Sequence, residues 1–177
     1  MTNIPFLIGL LGSLVLVAGA AYPDKKFRKY PYHSPKNWLL ALGGLFMLLY
    51  STMNYLSGGP IFFVYLQVLV NTASVFMMLN VSDSIDTPII CILGIILIAM
   101  SLSRFEGLST IFFIIGLTGI GLGYAMDSGT FKRNLSLTIG SALIALFSYL
   151  GAAWIFFWLN VFFAIFSGYY AYRLRKT

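Results

Sequence analysis

The amino-acid sequence predicts an all-helical membrane protein with seven transmembrane helices, and three observations carry that prediction. Hydrophobic side chains make up 59% of the 177 residues and charged ones only 9%, where a soluble domain carries about 25% charged. The apolar residues gather into seven runs, 5–22, 37–56, 60–80, 87–103, 108–126, 134–150 and 152–173, and a run of about 20 is what one helix needs to span the hydrocarbon core. Ten of the eleven basic residues fall in segments that seven crossings put on one side of the membrane. This composition excludes intrinsic disorder and a secreted disulfide scaffold, since Cys91 is the single cysteine and has no intrachain partner. A barrel would alternate polar and apolar residues with period two, whereas Ile89-Ile90-Cys91-Ile92-Leu93 is apolar on every side.

Taken in order, the first run contains Ala18-Gly19-Ala20, which has the form of a signal-peptidase site. No basic residue precedes it, and cleavage would require translocating Lys25-Lys26-Phe27-Arg28-Lys29, so the run is expected to stay as a helix. Ser57-Gly58-Gly59-Pro60 separates the second run from the third. Asp86-Thr87 offers a cap for the fourth, with Pro88 at a first-turn position. Gly151 separates the last two, and because Ser148 to Ala153 leaves only a tight hairpin, a merged six-helix count is the alternative. Cytoplasmic loops retain Lys and Arg. The clusters Lys25, Lys26, Arg28, Lys29 and Lys36, then Lys132 and Arg133, then Arg173, Arg175 and Lys176 share one side only with seven helices, leaving Arg104 opposite. The expected orientation is N-terminus outside and C-terminus cytoplasmic, in a bacterial inner membrane. The same charge bias accounts for the first basic loop without a lipid-headgroup site, which is the sharper alternative.

The chain also matches itself. Phe6, Ile8, Gly9, Leu10 and Gly12 align with Phe113, Ile115, Gly116, Leu117 and Gly119. Asn37, Leu40, Gly43, Leu49, Tyr50 and Ser51 align with Asn134, Leu137, Gly140, Leu146, Phe147 and Ser148. Leu66-Gln67-Val68 and Ser74 align with Leu159-Asn160-Val161 and Ser167. A basic loop, an Asn-led helix and a mid-helix amide recur together, which predicts two parallel three-helix repeats, 5–80 and 108–173, joined by a linker helix at 87–103 (3+1+3).

This plan resembles the SWEET and PQ-loop carriers of sugars and amino acids and the related nicotinamide riboside transporters. The resemblance rests on topology, on the N-out orientation, on Pro23 followed by Lys26 and Lys29, and on an amide in the third and seventh helices. The Pro-Gln dipeptide of those carriers is replaced by Pro23-Asp24 and Met126-Asp127, a layout that some small bacterial membrane proteins share. The resemblance implies that Gln67 or Asn71 on one side and Asn160 on the other contact the substrate.

Read as residues, Gln67 and Asn71 are four apart and share one helix face. Their carboxamides offer donors and acceptors suited to a neutral hydroxylated or amide-bearing solute, or alternatively to hydrogen bonds between helices. Trp158 precedes Asn160 by two positions and either stacks on a sugar or flat ring or belongs to an interfacial aromatic belt. No Asp, Glu, Lys, Arg or His falls near the middle of a run, and His33, alone in the basic loop, cannot build a metal site with the lone Cys91. No cofactor, metal or enzymatic activity is therefore expected, and facilitated diffusion is favoured over ion coupling. The expectation is a membrane carrier for a small neutral or weakly polar solute, partnered by that solute and the lipid bilayer and not by nucleic acid. A homo-oligomer or a larger membrane complex is compatible with so little extramembrane mass, and the alternative function is an accessory or scaffold subunit of such a complex.

Overall fold

The structure, a computed structural model, describes residues 4–22 and 31–176. Among these it contains seven α-helices: α1 (Ile4–Ala21), α2 (Pro35–Leu56), α3 (Phe62–Leu79), α4 (Asp83–Leu102), α5 (Leu108–Ala125), α6 (Phe131–Leu150) and α7 (Trp154–Arg175), with a 3-10 turn at Pro31–His33. All seven are long and apolar enough to cross a membrane, and the chain is an all-α, multi-pass integral membrane protein. The six-helix alternative is excluded at Gly151–Ala153. There Ala152 adopts a left-handed φ of 52°, and the Ala153 amide donates to Ser148 O at 2.8 Å, closing a hairpin that reverses the chain. The first basic cluster, from Lys25 to Lys29, lies outside the described residues.

Two helices begin three or four residues earlier than the apolar runs imply. α4 starts at Asp83, so Pro88 sits inside the helix and not at its first turn. Asp83 and Asp86 both occupy that first turn, where carboxylates complement the positive end of the helix dipole and extend the helix past the apolar run. α6 starts at Phe131 because Thr130 caps it, its side-chain oxygen accepting from Arg133 N at 3.3 Å. The Arg133 guanidinium turns back to donate to Met126 O and Ser128 Oγ and lies 5.8 Å from the Tyr124 ring centroid. Those contacts offset a cation placed at the wrong end of the dipole.

The chain divides into two compact units, Met1–Ser82 and Asp83–Thr177. In the first, α2 packs against both α1 and α3. The α1–α2 seam is a close backbone approach, and a Cβ at Gly43 would stand 2.8 Å from Leu16 N and 3.0 Å from Gly12 O. Small residues bring helices together in this way where lipid supplies no hydrophobic drive. In the second unit, α6 packs against α5 and α7, while α4 packs against α5. A Cβ at Gly140 would stand 2.6 Å from Ile120 N and 2.9 Å from Gly116 O. Ser136 adds an interhelical hydrogen bond, its Oγ donating to Gly119 O at 2.7 Å.

The two units bury corresponding residues. On α1, the buried residues are Gly9, Gly12, Ser13, Leu16 and Gly19; 104 positions later, Phe113, Gly116, Leu117, Ile120 and Gly123 are all buried on α5. On α2, Gly43, Gly44, Met47 and Ser51 are buried, as are Gly140, Ser141, Ile144 and Ser148 on α6, 97 positions later. On α3, Phe63, Leu66, Gln67 and Ser74 are buried, as are Phe156, Leu159, Asn160 and Ser167 on α7, 93 positions later. The contacts follow the same register: Gly12 faces Met47 and Gly116 faces Ile144, while Gly19 faces Leu40 and Gly123 faces Leu137. The buried positions of α1 and α5 match at an offset three residues away from the alignment that sets Gly9 against Gly116. In the packing register, Gly9 under the Tyr50 ring corresponds to Phe113 against Phe147, whose ring centroids are 5.1 Å apart.

Candidate functional site

Every buried polar side chain among the described residues is neutral: Ser, Thr, Asn or Gln. Several hydroxyls answer their own helix. Ser51 Oγ donates to Leu48 O, Ser101 Oγ to Leu97 O, Ser148 Oγ to Ile144 O and Thr118 Oγ1 to Ile114 O, all at 2.7–2.9 Å. Such back-bonding is how a hydroxyl is carried through an apolar helix at little cost. The carboxamides named from sequence divide into three different situations.

Asn71 is half-buried, and both hydrogen bonds of its Nδ2 are made to backbone. It donates to Gly44 O on α2 at 3.0 Å and to Gln67 O one turn earlier at 2.7 Å. A Cβ at Gly44 would stand 2.8 Å from Asn71 Oδ1, so the bare glycine is what admits the amide against the α2 backbone. Asn71 fastens α3 to α2.

Asn160 on α7 is 5% exposed, and its Nδ2 donates to Phe156 O at 2.8 Å.

Gln67 is 2% exposed, and its Oε1 is buried with no hydrogen-bond partner. Leaving a buried carbonyl unpaired costs about 1–3 kcal/mol, and the cost rises where no water reaches. One further buried oxygen among the described residues shares this condition, Ser74 Oγ, on a residue 1% exposed. Ser74 lies seven positions after Gln67, two helix turns along the same face of α3. Sequence reasoning placed Ser74 only in the internal match with Ser167. Its spacing from the amide, repeated between Asn160 and Ser167, is the signal that pointed to it.

Trp158 is 54% exposed. Two positions separate it from Asn160, about 200° around the helix, so the two side chains leave α7 in nearly opposite directions. Its ring meets Phe157 edge-on at 5.0 Å between centroids, and Trp154 in turn meets Tyr149 at 5.9 Å. Gln67 and Asn71 are thus brought together on α3, and Trp158 does not share the Asn160 face.

Apart from Arg104, the basic residues of the second unit gather at one end of it. Lys132 and Arg133 open α6, and Arg173 and Arg175 close the antiparallel α7. The Lys176 ammonium lies 4.5 Å above the Tyr172 ring, and the Arg173 guanidinium 6.0 Å from the Tyr169 ring. Comparison of the chain with family models, curated proteins and solved structures gives no match.

Proposed function

We propose that this chain is a carrier for a small neutral or weakly polar solute, moving it down its gradient by rocking of two three-helix units, α1–α3 and α5–α7, with α4 as the linker. The observation that carries the proposal is the pair Gln67 and Asn160. Each is a buried carboxamide on the third helix of its unit, each follows a buried Leu, and each precedes a buried Ser by seven positions. The matching burial registers of α1 with α5 and α2 with α6 support reading the two units as copies, in the parallel sense that the resemblance to SWEET and PQ-loop carriers implies. In this reading Gln67 and Asn160 contact the solute, Asn71 holds α3 in place, and Trp158 belongs to the aromatic girdle at the membrane surface. The basic clusters orient the chain with its N-terminus outside. Neutral cargo follows from the absence of a buried charge among the described residues, since an ion brought to these groups would be unpaired.

The test is a thermal-shift screen of purified protein against sugars, nucleosides, vitamins and amino acids, followed by flux in liposomes. Asn160→Leu is expected to abolish ligand stabilisation while leaving the unliganded protein folded. If the variant instead lowers thermal stability and no solute stabilises the wild type, Asn160 serves packing, and the accessory-subunit reading takes precedence.

A further inference from the structure

We infer that Gln67 and Ser74 form a two-point recognition stripe on α3, which selects uncharged solutes carrying hydrogen-bonding groups at two ends across an apolar middle. The inference rests on the carrier reading and adds to it a length and a polarity pattern.

Both residues are more than nine-tenths buried, and each holds an oxygen with no partner among the described residues. That is unusual in this chain, where hydroxyls on other helices donate to the carbonyl three or four positions before them. Ser74 could turn its hydroxyl to Val70 O in the same way, yet no such bond is formed. Two unanswered oxygens on one helix face are costly in a membrane, and groups of this kind in native proteins mark a function or a bound partner.

The spacing sets the length. Seven residues at about 1.5 Å rise put the two groups about 10 Å apart along the helix. Of the positions between them on that face, Val70 is apolar and buried, and Asn71 spends its amide hydrogens on backbone. Gln67 Oε1 is an acceptor only, so the solute presents an O–H or N–H to it. Ser74 Oγ both donates and accepts, so the far end is a hydroxyl or carbonyl. A polyol hydroxylated along its whole length would leave its central hydroxyls facing Val70. A sugar joined to an aromatic ring that bears a distal hydroxyl satisfies both ends and the middle.

Two probes differing in one atom test this: arbutin, which is 4-hydroxyphenyl β-glucoside, and phenyl β-glucoside, which lacks the distal hydroxyl. Binding is measured on the purified full-length protein. The wild type is expected to prefer arbutin by about three- to tenfold, the worth of one hydrogen bond. Ser74→Ala is expected to bind both glucosides equally, and Gln67→Leu to lose both. Equal affinities in the wild type overturn the inference without recourse to any variant, as does an arbutin preference that survives Ser74→Ala. Binding of other solutes with no preference between these two leaves the carrier reading standing and removes this stripe. Binding of nothing, neither glucoside nor any sugar, nucleoside, vitamin or amino acid, removes both.

Discussion

Asn71 on α3 donates a hydrogen bond to the carbonyl oxygen of Gly44 on α2 at 3.0 Å, across a seam that only a glycine leaves open. The carbonyl already belongs to the α2 backbone, so the bond adds an interhelical tie without breaking the helix. Asn71→Leu is expected to lower stability by about 0.5–2 kcal/mol in a thermal or SDS-unfolding assay. It should leave solute preference unchanged, because the amide hydrogens of Asn71 are committed to backbone.

The backbone approach between α5 and α6 is the least forgiving point of the second unit. Gly140→Val would press side-chain carbon against Ile120 N and Gly116 O, and is expected to cost about 1–3 kcal/mol. Gly94 on α4 is the control, because a Cβ there meets nothing within 4 Å. Gly94→Ala should be neutral or mildly stabilising through better helix propensity. Melting curves of the two variants side by side check the prediction, and equal behaviour would contradict it.

Ser74→Ala is expected to raise the melting temperature of the unliganded protein. It removes an unpaired buried hydroxyl at nearly constant shape, a change that is favourable when no hydrogen bond is lost. A fall in melting temperature would show that the hydroxyl has a partner holding the resting fold together.

Orientation is tested with single cysteines at positions 3 and 176 in a Cys91→Ser background. An impermeant maleimide applied to intact cells should label position 3 and not position 176. Labelling of position 176 from outside would overturn the charge-based topology.

Much of this architecture was legible before any coordinates. The seven crossings follow from the lengths of the apolar runs, and the α2–α3 and α6–α7 breaks from Gly58-Gly59-Pro60 and Gly151. The starts of α4 and α6 were not, because Asp83 and Thr130 act through capping and the helix dipole and leave no trace in hydropathy. The offset at which the burial patterns of α1 and α5 match was also hidden. Gly and Leu are so frequent in both helices that a three-residue slip still matches, and only the partner each glycine meets decides it: Gly12 with Met47, Gly116 with Ile144. The amides could be found from sequence, but not their division of labour. Asn71 spends its Nδ2 on two backbone carbonyls, whereas Gln67 Oε1 meets no donor, and neither outcome can be read from residue type. Ser74 was marked only by its spacing from the amide, repeated at Asn160 and Ser167, and not by its residue type, since helical serines commonly bond back to their own helix.

The carrier claim is tested most directly by solute flux through proteoliposomes, comparing wild type with Asn160→Leu and with protein-free vesicles. Glucose, sucrose, uridine and arbutin are supplied with no ion gradient. The wild type is expected to accelerate entry of at least one of them saturably, and Asn160→Leu to return that flux to the protein-free level while keeping its fold. Wild-type flux equal to that of empty vesicles for all four, or undiminished flux through a folded Asn160→Leu protein, would contradict it.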